Sequence, residues 1–285
     1  MQPIPPAPYG HSSYPRPQSP VYFAQRIEVS DGAKLATFVY GPSQTSLAAL
    51  LRGDLVLALH GNGGSHATFV NVIDRLTAAG VGVIALDGRA QGQSTRGSLP
   101  LSYELFTSDA VAVLDVLGVK SVHIVGHSDG GIISLLMARD YPERVRSIVA
   151  GGANLTPEGV IDEWDTAGSV QQNRQWAAWM EEAQGPSEVD PSLLPSTQSV
   201  LCSAELLQLM LDEPHIDAAS LAAIRCPTCV LVGEHDCITL EETNAIAKAI
   251  PGARLVTVPG VGHSLPRLAP DSVVCQVLTN VLLCR

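Results

Sequence analysis

Apolar residues recur along this chain with two spacings. Leu55–Leu59, Val81–Leu86, Val122–Val125, Val145–Ala150, Thr228–Val232 and Arg254–Val258 are short runs rich in Val, Leu and Ile. Runs of that length predict strands, and the continuous ones predict strands buried on both faces. Segments with helical spacing lie between them. Residues 66–79 carry Phe69, Val72, Ile73 and Leu76 on one side and stop at Gly80. Residues 102–117 place Leu105, Ala112, Val113 and Leu117 on an apolar side. Residues 129–140 are closed by Tyr141-Pro142, residues 239–250 by Pro251-Gly252, and residues 271–283 form the last helix. Strands alternating with helices predict the α/β class, with a mostly parallel sheet covered by helices on both faces. Residues 21–29 and 34–40 are β-rich around Asp31-Gly32, which predicts an antiparallel hairpin at one edge. Residues 41–53 read as a loop with one helical turn at Leu47–Leu51.

The alternation breaks over 154–222. This stretch holds Trp164, Trp176 and Trp179, amphipathic helical spacing, and a Pro/Ser-rich run at 185–197. Inserted between two strands, it reads as a helical cap. Ligands of open α/β sheets bind beyond the strand C-termini, so a cap emerging there is expected to act as a lid. The sheet core is then 21–153 and 223–285. Residues 1–20 contain seven prolines. Proline donates to neither helix nor ladder, so a flexible extended arm is expected there.

Composition narrows the partners. With 285 residues, 46% of them hydrophobic, the chain can bury a large core. A net charge of −11 argues against nucleic acid and against anionic membrane surfaces. The apolar runs are far shorter than the roughly 20 residues of a membrane helix. No charged and apolar leader pattern opens the sequence, so a cytoplasmic protein is expected. The six cysteines all lie in the last third. Cys226 and Cys229 match a C-x-x-C pair, but Cys229 opens an apolar strand, and there is no second pair for zinc. Ordinary thiols are expected, with no metal and no cofactor. Homodimerisation stays open.

The chemistry centres on Gly126-His127-Ser128-Asp129-Gly130-Gly131, which follows a strand and opens a helix. A G-x-S-x-G run in that setting presents its Ser on a strained turn above the sheet. The Ser needs a base. His263, in the loop Val261-Gly262-His263-Ser264 after a strand, lies at the same sheet edge. The base needs an orienting carboxylate. Asp236 in Gly233-Glu234-His235-Asp236 is preferred to Glu234, because it lies further from the strand end. An oxyanion needs preorganised donors. The expected donors are the N–H of Asp129, at the helix N-terminus, and the N–H of Asn62 in His60-Gly61-Asn62-Gly63-Gly64, with Gly63 as fallback. His60 is expected to brace that loop. Trp164, Trp176 and Trp179 are candidates to line the substrate pocket, against the alternative that they pack the cap.

These motifs resemble the α/β-hydrolase family over about Val21 to Cys284. The segment Asp87-Gly88-Arg89-Ala90-Gln91-Gly92-Gln93-Ser94 is similar to that family's D-x-R-G-x-G-x-S loop, with Ala90 for a glycine, which suggests a slightly different turn. The resemblance implies a serine hydrolase that cleaves a small-molecule carboxylic ester through an acyl-enzyme. Ser128-Asp129-Gly130-Gly131 with Gly151-Gly152-Ala153-Asn154 is similar to valacyclovir hydrolase and its relatives. That likeness implies an alternative, α-amino-acid esters with Asp129 holding the substrate ammonium. Against it, Asp129 also suits a helix's first turn. Diketone C–C hydrolysis, cofactor-free perhydrolysis and a ligand receptor remain rivals on the same residues.

Overall fold

The computed structural model describes residues 15–182 and 196–285. Eight strands form one sheet in the order β1-β2-β4-β3-β5-β6-β7-β8. They are β1 Val21–Glu28, β2 Lys34–Tyr40, β3 Leu55–Leu59, β4 Gly82–Leu86, β5 Val122–His127, β6 Val145–Gly151, β7 Thr228–His235 and β8 Arg254–Gly262. The β1–β2 hairpin and the β2–β4 pair are antiparallel, and every other pairing is parallel.

The helices are α1 Leu47–Leu50, α2 Val70–Ala78, α3 Tyr103–Val116, α4 Asp129–Asp140, α5 Thr166–Glu182, α6 Thr197–Asp212, α7 Leu240–Ala249, α8 Leu265–Leu268 and α9 Pro270–Leu283. The central strands are buried on both faces, so their alternating side chains feed two apolar layers. Leu55, Leu57 and Leu59 of β3 point into the layer built with α3, α4 and α7. Val56 and Ala58 point into the layer built with α2 and α9.

Several elements differ from the sequence expectation. The apolar side of α3 is rotated: Tyr103, Phe106, Ala110, Val113 and Leu114 are buried, while Leu105, Ala112 and Leu117 are half-buried. Residues 66–69 form a 3-10 turn ahead of α2. β7 and β8 both run past Val232 and Val258, through an irregular register between Gly233 and His235. Of the Pro-rich arm, residues 1–14 lie outside the described residues, but its end is docked. The amides of Gln18 and Ser19 and the Ser19 hydroxyl all donate to the Asp74 carboxylate on α2. The Pro/Ser-rich run lies outside the described residues up to 195, and Ser196 caps α6.

Ala90 itself takes the left-handed backbone, at φ 64°, that a glycine adopts freely. The neighbouring Arg89 is 1% exposed. Its guanidinium donates to Asp109 at 2.8 and 2.9 Å and to Asp31 at 2.6 Å, tying this loop to α3 and to the β1–β2 turn. Cys229 sits buried in β7, all six cysteines are free, and burial pushes the Cys226 and Cys229 thiols up to about 11. High thiol pKa values suit inert buried thiols, not a redox pair. Among the described residues no helix is long and apolar enough to cross a membrane.

Candidate active site

Strand β5 runs into α4 through Ser128, whose backbone has φ 56° and ψ −121°. A non-glycine residue is held there only when its surroundings over-determine it. Here the surroundings are two glycines. A side chain on Gly126 would meet the backbone of Gly130, and one on Gly130 would meet the carbonyl of Leu59. Strand and helix can therefore close on each other, and Ser128 is left half-buried at the turn.

The loop after β3 passes beside this turn. A Cβ on Gly61 would stand 2.7 Å from the Ser128 Cβ and 3.3 Å from its Oγ, so the loop backbone lies against the hydroxyl. His60 braces the loop. Its Nε2 accepts from the Gly88 amide at 2.8 Å, which leaves the proton on Nδ1, and Nδ1 donates to the Gly61 carbonyl at 2.7 Å. Burial holds the His60 pKa below its ordinary value and keeps the ring neutral.

Asn62 and Asp129 meet through their side chains. Asn62 Nδ2 donates to Asp129 Oδ2 at 3.2 Å and to the Leu206 carbonyl of α6 at 2.8 Å. The Tyr103 hydroxyl donates to Asp129 Oδ1 at 3.1 Å. Burial pushes the Asp129 carboxyl up to about 6, outweighing the hydrogen bonds from Tyr103 and Asn62. The ammonium-binding expectation would need this carboxylate to exchange those two hydrogen bonds for a substrate group. The carboxylate faces an interior recess with Phe106 and Ile133, and Asp129 is absent from the lining of the cavity that holds Ser128.

His263 and Asp236 come together from β8 and β7. His263 Nδ1 lies 2.6 Å from Asp236 Oδ1. Asp236 also accepts from the amides of Ile238 at 3.1 Å and Gly233 at 3.3 Å. Burial opposes its charge, but the His263 hydrogen bond and charge prevail and hold its pKa below the ordinary value. Burial likewise opposes an imidazolium at His263, yet Asp236 and Cys237 raise its pKa. Glu234 points elsewhere, accepting from the Gly260 amide at 2.7 Å. The buried His127 ring donates from Nε2 to the His263 carbonyl at 2.7 Å.

Ser128 and His263 line one cavity of about 450 Å³. No hydrogen bond joins Ser128 Oγ to His263 among those of the described residues. In unliganded sites such contacts are commonly loose. The opposite wall comes from α5 and α6, with Thr166, Ser169, Gln172 and Asn173 from the first and Leu207 and Met210 from the second. Of the three tryptophans only Trp164 reaches this cavity. Trp176 is buried between α5 and α6 against Trp179, ring centroids 5.3 Å apart, because that helix pair has its own small apolar core. The polar face of α5 was missed by the sequence reading, although Thr166, Ser169 and Asn173 sit at helical spacing. Among the described residues one donor set could hold a metal: Asp236, Cys237 and His263 have ligand atoms within 4.8 Å of one another.

The profile described as "Alpha/beta hydrolase family" matches residues 55–277. Rhodomycin D methylesterase DauP of Streptomyces sp. (strain C5) is 28% identical over 253 residues, covering 74% of this chain and 85% of that protein. Serine hydrolase BPHL of Mus musculus is 28% identical over 259 residues, covering 84% of this chain and 87% of that protein. A thermophilic esterase from Thermogutta terrifontis superposes with a TM-score of 0.69 at 24% identity, over 92% of this chain and 99% of its own. At that identity the likeness speaks for the fold.

Proposed function

This chain belongs to the α/β-hydrolase family and is a hydrolase, and from that premise we propose that it cleaves small-molecule carboxylic esters with Ser128, His263 and Asp236 as its triad. The observation that carries this reading is the 2.6 Å contact between His263 Nδ1 and Asp236 Oδ1, at a ring that shares the Ser128 cavity. Asp236 fixes the tautomer that leaves Nε2 as the base. His263 takes the proton from Ser128 Oγ as the oxygen attacks the ester carbonyl. The N–H of Asp129, at the positive end of α4, and the N–H of Asn62 receive the developing oxyanion. His263 then returns the proton to the leaving alcohol, which gives an acyl-Ser128. A water activated by the same imidazole releases the acid.

The inserted helices α5 and α6 serve as a lid over this cavity. Asn62 ties the loop that supplies one oxyanion donor to α6 through the Leu206 carbonyl. The amino-acid ester alternative would require the Asp129 carboxylate to exchange its hydrogen bonds from Tyr103 and Asn62 for a substrate ammonium.

The test is a fluorophosphonate probe together with p-nitrophenyl esters. Labelling of the wild type, lost in Ser128→Ala and His263→Ala along with ester hydrolysis, is expected. Labelling that persists in folded Ser128→Ala contradicts the assignment. Turnover confined to ring-fission diketones, peracid formation, or ligand retention without turnover would point to the C–C hydrolase, perhydrolase or receptor readings.

A further inference from the structure

Two residues that line the cavity keep a buried polar atom without a hydrogen-bond partner among the described residues, His127 at Nδ1 and Asn173 at Oδ1. Asn173, on α5, is 1% exposed. Its Nδ2 donates to the Ser169 carbonyl at 2.8 Å. Only the nitrogen can donate there, so this contact fixes the orientation of the amide. Its Oδ1 has no hydrogen-bond partner among the described residues. A buried acceptor left unpaired is costly, and a site that keeps one is built for a donor. Asn173 lines the Ser128 cavity, with Thr166, Ser169 and Gln172 of the same helix beside it.

The charges around the cavity are as one-sided as the chain is acidic. Among the described residues no Asp or Glu lines it. Arg267, four residues beyond His263, adds a second cation to the wall beside the His263 ring, and its guanidinium makes no ion pair among the described residues. A wall with an arginine and no carboxylate repels a substrate ammonium and accepts a neutral or anionic group.

We infer that the site selects hydroxylated esters, neutral or anionic, whose hydroxyl donates to Asn173 Oδ1, and that it discriminates against cationic aminoacyl esters. This rests on the proposed esterase reading. Chemical discrimination of this kind is strong because a substrate without the hydroxyl leaves the buried acceptor unpaired.

The experiment compares kcat/KM for p-nitrophenyl butyrate with its 2-hydroxy-, 3-hydroxy- and 2-amino- analogues, and for propyl butyrate with glycerol monobutyrate. At least one hydroxylated member is expected to exceed its parent by about tenfold or more, and the 2-amino ester to fall below butyrate. In Asn173→Leu the hydroxyl preference should collapse towards unity. Thermal melting and fluorophosphonate labelling of Ser128 check that the variant is folded, and Asn173→Ala takes its place if it is not. In Arg267→Gln the 2-amino ester should gain relative to butyrate. No hydroxyl preference in a wild type that labels at Ser128, or a preference that survives in a labelled Asn173 variant, overturns this inference alone. A wild type that does not label overturns the esterase reading with it.

Discussion

His127 donates its Nε2 proton to the backbone carbonyl of His263 at 2.7 Å, so the residue before Ser128 anchors the peptide that carries the ring beside it. The ring sits 4.8 Å, centroid to centroid, from the His263 imidazole. Burial lowers the His127 pKa to about 4, which keeps this donor neutral at physiological pH. His127→Phe removes this donor and leaves the His263 carbonyl with the Leu265 amide alone. A loss of roughly 1 kcal/mol in positioning is expected, read as about fivefold in kcat with KM little changed. His127→Gln, which can donate again, should recover part of it.

In the proposed mechanism the His263–Asp236 pair sets the pH profile. The raised His263 pKa means that the neutral ring required for attack on ester accumulates only above the ordinary histidine range, so kcat/KM should climb with pH through an alkaline-shifted limb. Asp236→Asn removes the charge and weakens the hydrogen bond that raise it. The residual activity is expected to fall by orders of magnitude, and its limb to move to lower pH. A limb that stays in place in that variant would contradict the pairing.

Asp129 makes an opposite prediction for stability. Its carboxyl pKa is raised by burial from 3.8 to about 6. The folded chain therefore binds a proton that the unfolded chain has released between those values. Folding stability contributed by this group is full below about pH 4 and lost as pH rises through 6. In Asp129→Asn the amide oxygen can accept from Asn62 and the amide nitrogen can donate to the Tyr103 hydroxyl, with no charge to desolvate. Chemical denaturation at pH 4 and pH 7.5 should show the variant gaining roughly 1–3 kcal/mol on the wild type at the higher pH only.

The loop at 88–97 supplies two further tests. Ala90 holds φ 64°, which costs an L-residue energy that glycine does not lose. Ala90→Gly is expected to stabilise by up to about 1 kcal/mol, the gain reduced by glycine's larger unfolded entropy. Arg89→Met strands Asp31 and Asp109 without their partner. A loss of about 3–5 kcal/mol is expected by denaturant titration.

Much of the fold was legible because its strands are buried on both sides and read as unbroken apolar runs. The hairpin around Asp31-Gly32, the elbow at Ser128 and the helix stops at Gly80 and Pro251 all carry local signals. What was not legible depends on tertiary neighbours. In α3 the buried side is set by Tyr103 and Phe106, which pack on the core and on each other, and not by the apolar spacing of Leu105 and Leu117. β7 and β8 continue past their apolar runs because they pair with each other across an irregular register. The direction of the Asp129 carboxylate was hidden for the same reason. The motif places the residue, but Tyr103 and Asn62, from distant segments, decide where its side chain goes. Trp176 and Trp179 followed the helix pair inward, whereas polar Asn173, unremarkable in sequence, became part of the cavity wall.

The most direct measurement is rapid quenching of the enzyme with a p-nitrophenyl ester, followed by peptide mapping by mass spectrometry. One acyl group on the peptide that contains Ser128, formed in a burst of p-nitrophenol and missing in Ser128→Ala, is the result expected. Ester turnover with no acyl adduct on that peptide, undiminished in Ser128→Ala, would contradict it.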